Sequence, residues 1–126
     1  MRYLFDAGAL IALERGDVIA WRRLSATRET NEWAVTHGGI VGQVWRGKGA
    51  RHALLARALA SIDVRPLDQA LGRAAGALLA KSKTADVVDA ALVVLARDDD
   101  QIVTSDPDDI EHLLACAGID AGILPP

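Results

Sequence analysis

Short apolar runs alternate along the chain with longer segments in which apolar residues recur every three or four positions. The short runs predict strands and the longer segments predict helices, because side chains share a face every second residue in a strand and about every 3.6 residues in a helix. The predicted strands are residues 2–5, 32–36, 62–67, 101–105 and 121–124. The predicted helices are residues 7–15, 17–29, 38–47, 50–61, 68–82, 84–96 and 108–117.

This alternation of strands and helices indicates the fold class. Strands separated by helices form βαβ units, which build a parallel sheet with right-handed crossovers. A chain of 126 residues is long enough for one domain and too short for two, so we predict a single domain over residues 1–126. The predicted architecture is a three-layer α/β/α sandwich around a mostly parallel sheet of four or five strands.

Composition excludes several classes of protein. Half of the residues are apolar, 51%, which favours a packed core over disorder. No apolar run is long enough to span a bilayer, and Asp6 interrupts the apolar run at the N-terminus, so we expect neither a membrane segment nor a signal peptide. Cys116 is the only cysteine, which excludes an internal disulfide and is typical of the reducing cytoplasm. Its simplest role is that of a small buried apolar side chain.

The charges are unevenly distributed, although the net charge is only −3. No acid occurs in residues 33–62, whereas seven of the fourteen residues 98–111 are acidic. The basic residues within the first of these stretches are Arg46, Lys48, Arg51 and Arg57. Such a division can place a basic surface beside an acidic pocket, although an ordinary solvated helix face explains the basic stretch equally well.

Four aspartates stand where a parallel α/β fold forms its sites. Asp6 directly follows the first strand, and Asp106 directly follows the fourth. Asp86 and Asp89 are three residues apart in the first turn of a predicted helix and therefore share a face. Because sites in open parallel sheets lie beyond the carboxyl ends of the strands, three or four of these carboxylates are expected to meet in one cleft.

A cluster of carboxylates is self-repelling unless some are protonated or a cation holds them together. Oxygen ligands without histidine or cysteine partners indicate Mg²⁺ or Mn²⁺, and metals held in this way commonly act on phosphate groups. Each acid also has a structural interpretation. Asp6 and Asp86 suit helix N-caps, Asp89 suits the positive end of a helix dipole, and Asp106 suits a turn before proline. Asp108 and Asp109, in the first turn of a helix, are interpreted as structural.

Three segments, "YLFDAGALIAL", "DVVDAALVVLA" and "IVTSDPDDI", resemble in their order and spacing the PIN domain, and most of all its VapC-type toxin ribonucleases. The resemblance extends over essentially the whole chain. It implies that Asp6, Asp89 and Asp106 are the catalytic, metal-binding acids, with Asp86 and Thr104 in auxiliary roles. It further implies Mg²⁺ or Mn²⁺ as cofactor, endonucleolytic cleavage of RNA, a homodimer, and inhibition by a small VapB-type antitoxin.

One position departs from the family pattern. The family usually carries a glutamate on the helix after the second strand, where this chain has Gln43. An amide oxygen can ligate a metal or its water, but it brings no charge. Two alternatives follow. Either Asp86 restores the missing charge and the enzyme is active, which we favour, or the chain is a weak or inactive PIN-like module that binds RNA or a protein.

In this setting the basic stretch acquires a role, because Arg46, Lys48 and Arg51 can hold RNA phosphates. Trp45 can stack on a base, but the three tryptophans, Trp21, Trp33 and Trp45, are more simply interpreted as core or dimer-interface residues. His37 and His52 have no metal-ligand spacing, so no role is assigned to them. A haloacid-dehalogenase-like phosphatase is excluded because Gly8 stands where its second aspartate is required.

Overall fold

The computed structural model describes residues 2–126, in which five strands alternate with seven helices as the periodicity predicted. The strands are β1 (Tyr3–Phe5), β2 (Ala34–His37), β3 (Asp63–Arg65), β4 (Gln101–Val103) and β5 (Gly122–Leu124). The helices are α1 (Ala7–Glu14), α2 (Val18–Glu29), α3 (Gly38–Val44), α4 (Arg51–Leu59), α5 (Gln69–Ser82), α6 (Val87–Leu95) and α7 (Pro107–Ala117).

All five strands are parallel and lie in the order β3-β2-β1-β4-β5. Leu4 in the central strand pairs with Val35 on one side and with Ile102 on the other. From β1 the chain places β2 and then β3 on one side of it, and afterwards β4 and then β5 on the other side. The order reverses between β1 and β4, so a crevice is expected beyond the carboxyl ends of these two strands. The predicted parallel α/β fold is confirmed.

The core lies where helices cover the sheet. Leu4, Val35 and Ile102 are buried completely or almost completely, and they belong to the three central strands. Helices α1, α2, α3 and α4 pack in one group, and α5, α6 and α7 pack in another. Ala90–Val93 of α6 is wholly buried, which explains why this helix is apolar on nearly every face. None of the helices in the described part of the chain is long and apolar enough to cross a membrane.

Element ends follow local backbone chemistry. Helix α3 stops at Val44, before the predicted end at residue 47, because Trp45 adopts an extended conformation with φ −66° and ψ 126°. Asp68 caps α5 as predicted, since its Oδ1 accepts a hydrogen bond of 2.9 Å from the Leu71 amide. The core interpretation is wrong for Trp33, which is 64% exposed just before β2, and for Trp45, which is 38% exposed after α3, so only the untested interface interpretation and, for Trp45, stacking on a base remain. Cys116 is half-buried rather than fully buried.

Candidate functional site

Asp6 lies at the end of β1 and is almost fully buried. Its amide donates to the Val103 carbonyl of β4, and its Oδ1 accepts a hydrogen bond of 2.9 Å from the Ala9 amide, which caps α1. Burial raises the pKa of Asp6, and the nearby charge of Asp106 raises it further. Interactions with the Thr104 hydroxyl and with the Ala9 and Ser105 amides oppose this rise. Asp6 therefore serves both as a cap and as a charged group at the reversal point of the sheet.

Asp89 lies in the first turn of α6 and is partly buried. Its pKa is raised to about 6, first by burial and then by the charges of neighbouring carboxylates. The carboxylates that act on it are, in decreasing order, those of Asp86, Asp6, Asp106 and Asp109. We call Asp6, Asp86, Asp89, Asp106 and Asp109 the acidic group. Three separate parts of the fold, the end of β1, the start of α6 and the start of α7, contribute to it.

Asp106 occupies the N-cap position of α7, but its side chain makes no capping hydrogen bond. Its amide donates instead to the Thr104 hydroxyl at 2.9 Å, and Thr104 is buried. Thr104 thus fixes the backbone from which the Asp106 carboxylate projects. Asp109 stands one turn further along α7 and also acts on Asp89, although the sequence interpretation made it structural. No signal in the sequence distinguishes Asp109 from other acids in a first helical turn, because its effect on Asp89 depends on the packing of α7 against α6.

Asp86 caps α6, as one of its two sequence interpretations predicted. Its Oδ1 accepts hydrogen bonds from the Val88 amide at 3.0 Å and from the Asp89 amide at 3.1 Å, so it is the N-cap of α6. Its charge is also the strongest electrostatic influence on the pKa of Asp89. The side chain is exposed, which leaves it accessible to solvent and to ligands.

A cleft of about 240 Å³ opens beside these acids. It is lined by Thr84, Ala85, Asp86, Asp89, Asp109, His112 and Leu113. The His112 ring is held at its rim by a contact of 2.9 Å between Nε2 and the Ser82 carbonyl. A larger cleft of about 400 Å³ lies beside Trp33, but none of the acidic group lines it. Asp86, Asp89 and Asp109 thus line the smaller cleft, whereas Asp6 and Asp106 do not.

The acidic group has the donors that a hard divalent cation prefers, because it offers only carboxylate oxygens. Within residues 2–126 the salt bridges join Arg2 to Asp100 and Arg65 to Asp63, so no basic side chain neutralises the group. In the same range no three histidine, cysteine, aspartate or glutamate side chains form a ready-made metal site. The donor chemistry thus fits Mg²⁺ or Mn²⁺, whereas three ligating positions are not assembled in advance.

The amide and basic residues predicted for the site do not line the cleft either. Gln43 is exposed on α3 and does not line the cleft. Arg46, Lys48 and Arg51 are exposed between the end of α3 and the start of α4. The Arg46 guanidinium donates to the Trp45 carbonyl at 2.8 Å, which holds it against its own loop. The predicted roles of these four residues therefore remain predictions.

Comparison of the fold with solved structures finds a full-length match. A chain of the crystal structure of VapBC2 from Rickettsia felis, bound to a DNA fragment from their promoter, superimposes with a TM-score of 0.67. The match covers 98% of this chain and 99% of that chain, at 10% sequence identity. This chain has a PIN-like fold. No family model matches the sequence, and no curated protein matches it either.

Proposed function

We propose that this protein is a Mg²⁺- or Mn²⁺-dependent endoribonuclease and the toxin of a toxin–antitoxin pair. The acidic group carries the proposal, because four carboxylates from three parts of the fold act on the Asp89 carboxylate and no salt bridge among residues 2–126 compensates them. Such an arrangement destabilises the fold unless a cation joins it, so its presence at the reversal point of the sheet is best explained by a function. The similarity to a VapBC2 chain supports the same interpretation.

Asp6, Asp89 and Asp106 are the residues that would hold the metal, with Asp86 and Asp109 adding charge at its edge. When bound, the cation polarises a phosphoryl oxygen and lowers the pKa of a water molecule. Without it the acidic group repels the phosphate backbone of RNA. Thr104 keeps the backbone of Asp106 in place through its hydroxyl. Arg46, Lys48 and Arg51 then hold neighbouring RNA phosphates.

The proposed partners follow from the same comparison. The similar structure is a VapBC2 assembly, so a small VapB-type antitoxin is the expected inhibitor of this chain. We also propose a homodimer in the cytoplasm. Co-expression with the gene that neighbours this one, followed by purification of the complex and measurement of its mass in solution, tests both partners.

Cleavage of a labelled RNA in Mn²⁺ tests the proposed activity. Asp6→Ala and Asp89→Asn should each lower the rate by at least about 100-fold, because each removes a charge that binds or orients the reacting groups. Asp108→Asn is the matched control, since Asp108 is an exposed acid in the first turn of α7 that does not act on Asp89. If both site variants cleave at the native rate, the assignment is wrong.

A second candidate function is a non-catalytic module that binds RNA or a protein. It is favoured by the absence of a ready-made group of three metal ligands within residues 2–126 and by the exposed amide of Gln43 in place of a carboxylate. Titration calorimetry separates the candidates. The proposed nuclease binds Mn²⁺ at millimolar concentration or below, and the module does not.

A further inference from the structure

His37 is the last residue of β2, and its side chain is completely buried. It lies outside the acidic group, and no step proposed above uses it. Complete burial of an imidazole is costly unless both of its nitrogens find partners. The identity of those partners shows what the ring does.

Two hydrogen bonds determine which nitrogen of His37 carries the proton. Nδ1 accepts from the Gly39 amide at 3.1 Å, so the proton must lie on Nε2, which donates to the Val88 carbonyl at 2.8 Å. Burial lowers the pKa of His37 from 6.5, which keeps the ring neutral in this tautomer at neutral pH. The ring therefore links the β2–α3 corner to the first turn of α6.

The Val88 carbonyl and the Asp89 amide belong to the same peptide unit, whose C=O and N–H point in opposite directions. His37 binds the oxygen of this peptide, and the Asp86 carboxylate binds its N–H at 3.1 Å. The peptide is thus held on both sides. Because it leads directly into the α-carbon of Asp89, its plane sets the direction in which the Asp89 side chain leaves the helix.

We propose that His37 is a positioning residue that, together with Asp86, fixes the Val88–Asp89 peptide and so aims the Asp89 carboxylate into the acidic group. This role rests on the proposed function, in which Asp89 holds the metal. His37 touches neither substrate nor metal. It acts through the backbone of α6.

The corner around His37 is shaped to accept the ring. A methyl group at Gly39 would lie 2.9 Å from the His37 Cε1, closer than real contacts allow, and 3.1 Å from its Nδ1, which is a tight contact. Gly39 therefore provides both the amide that fixes the tautomer and the space that the imidazole needs.

Two substitutions distinguish between the two hydrogen bonds that the His37 ring makes. The amide of Gln at position 37 reaches the place of Nε2 and can still donate to Val88, whereas the shorter Asn places its oxygen near Nδ1 and keeps only the bond to Gly39. His37→Asn and His37→Gln thus form a matched pair of polar variants. Thr27→Val is the control for loss of a buried hydrogen bond far from the site, since the Thr27 hydroxyl donates to Leu24 within α2.

The experiment measures amide hydrogen exchange in the metal-free chain and Mn²⁺ affinity by calorimetry for all four proteins. For His37→Asn we expect exchange at Asp89 and Ala90 to be about three- to tenfold faster than for His37→Gln, the range given by one lost hydrogen bond. We expect Mn²⁺ affinity to fall by a similar factor. Thr27→Val should change neither quantity beyond its effect on global stability.

The outcomes are distinguishable. Equal exchange in the Asn and Gln variants, or different exchange with equal Mn²⁺ affinity, overturns the positioning role. If the native chain binds Mn²⁺ but cleaves no RNA, the proposed nuclease function is wrong, and the affinities of the two variants still decide the role of His37. If the native chain binds no Mn²⁺, both proposals fail.

Discussion

Replacing Asp89 by asparagine should make the metal-free protein more stable at neutral pH while removing its proposed activity. The pKa of Asp89 rises from 3.8 to about 6 on folding, mainly through burial and then through the charge of Asp86. Between these two values the folded chain carries a proton on Asp89 that the unfolded chain has lost. Stability therefore falls as the pH rises through this interval, and the loss is complete above pH 6. Asparagine, which has no charge, does not suffer this loss.

The size of the effect follows from that pKa. A rise from 3.8 to about 6 corresponds to about 3 kcal/mol at 25 °C. Because the side chain is only partly buried, solvent screening reduces this to about half. The loss of a negative charge in the first turn of α6 opposes the gain by about 0.5 kcal/mol. The expected net stabilisation is about 1 kcal/mol, which raises the melting temperature of a chain of this length by about 4 °C.

Urea denaturation followed by circular dichroism, in EDTA at pH 7.5 and at pH 4, measures this difference in the free energy of unfolding. The gain should be present at pH 7.5 and largely lost at pH 4, where native Asp89 is protonated. Asp108→Asn is the control and should bring no gain at either pH, because its charge does not act on Asp89. A variant no more stable than the native chain at pH 7.5, or a gain that persists unchanged at pH 4, would refute the conclusion that burial and neighbouring charges raise the pKa of Asp89.

Three further predictions concern the same region. Mn²⁺ at 100 times its dissociation constant should stabilise the native chain by about 2.7 kcal/mol in thermal unfolding and should leave Asp89→Asn almost unchanged; equal stabilisation of both would place the metal elsewhere. Asp86→Asn should keep the stability of α6, since asparagine caps as well as aspartate, yet weaken Mn²⁺ binding about three- to tenfold by calorimetry; unchanged binding would leave Asp86 a cap alone. Gly8→Ala should lower stability by about 1–3 kcal/mol in urea, because its methyl group would overlap the Ser105 side chain beside the site, and native stability would contradict this packing.

Much of the fold could be predicted because hydrophobic periodicity directly reports which residues are buried. Periodicity alone predicts each of the five strands and seven helices. The rule for parallel sheets predicts that Asp6, Asp89 and Asp106 meet; the charges of Asp6 and Asp106 do act on Asp89, but neither residue lines the cleft beside it. The order of the strands was not predicted, since periodicity carries no information on which strands are neighbours. Element ends were also inexact, as Trp45 shows, because a single backbone angle ends a helix without altering the pattern.

The roles of Asp109 and His37 could not be predicted from the sequence, for the same reason. Asp109 resembled any acid at a helix start, and only the approach of α6 to α7 gives it an electrostatic role. The spacing of His37 suits no metal site, so the sequence assigns it no role. Its partners in the fold are Gly39, a neighbour in sequence, and Val88, a residue of a distant helix. Contacts of that kind depend on tertiary structure, and one sequence does not display them.

Helix α6 supplies the core and the site from the same nine residues. A single inserted or deleted residue within it would turn Asp89 by about 100° relative to the buried side chains beyond it. Either the carboxylate would leave the cleft or the apolar face would leave the sheet, and no rotation of the helix restores both. Single substitutions on this helix are tolerated more readily, because they leave its length and register unchanged. We therefore expect proteins related to this chain to differ in the loops on either side of α6 and to keep the number of residues in the helix.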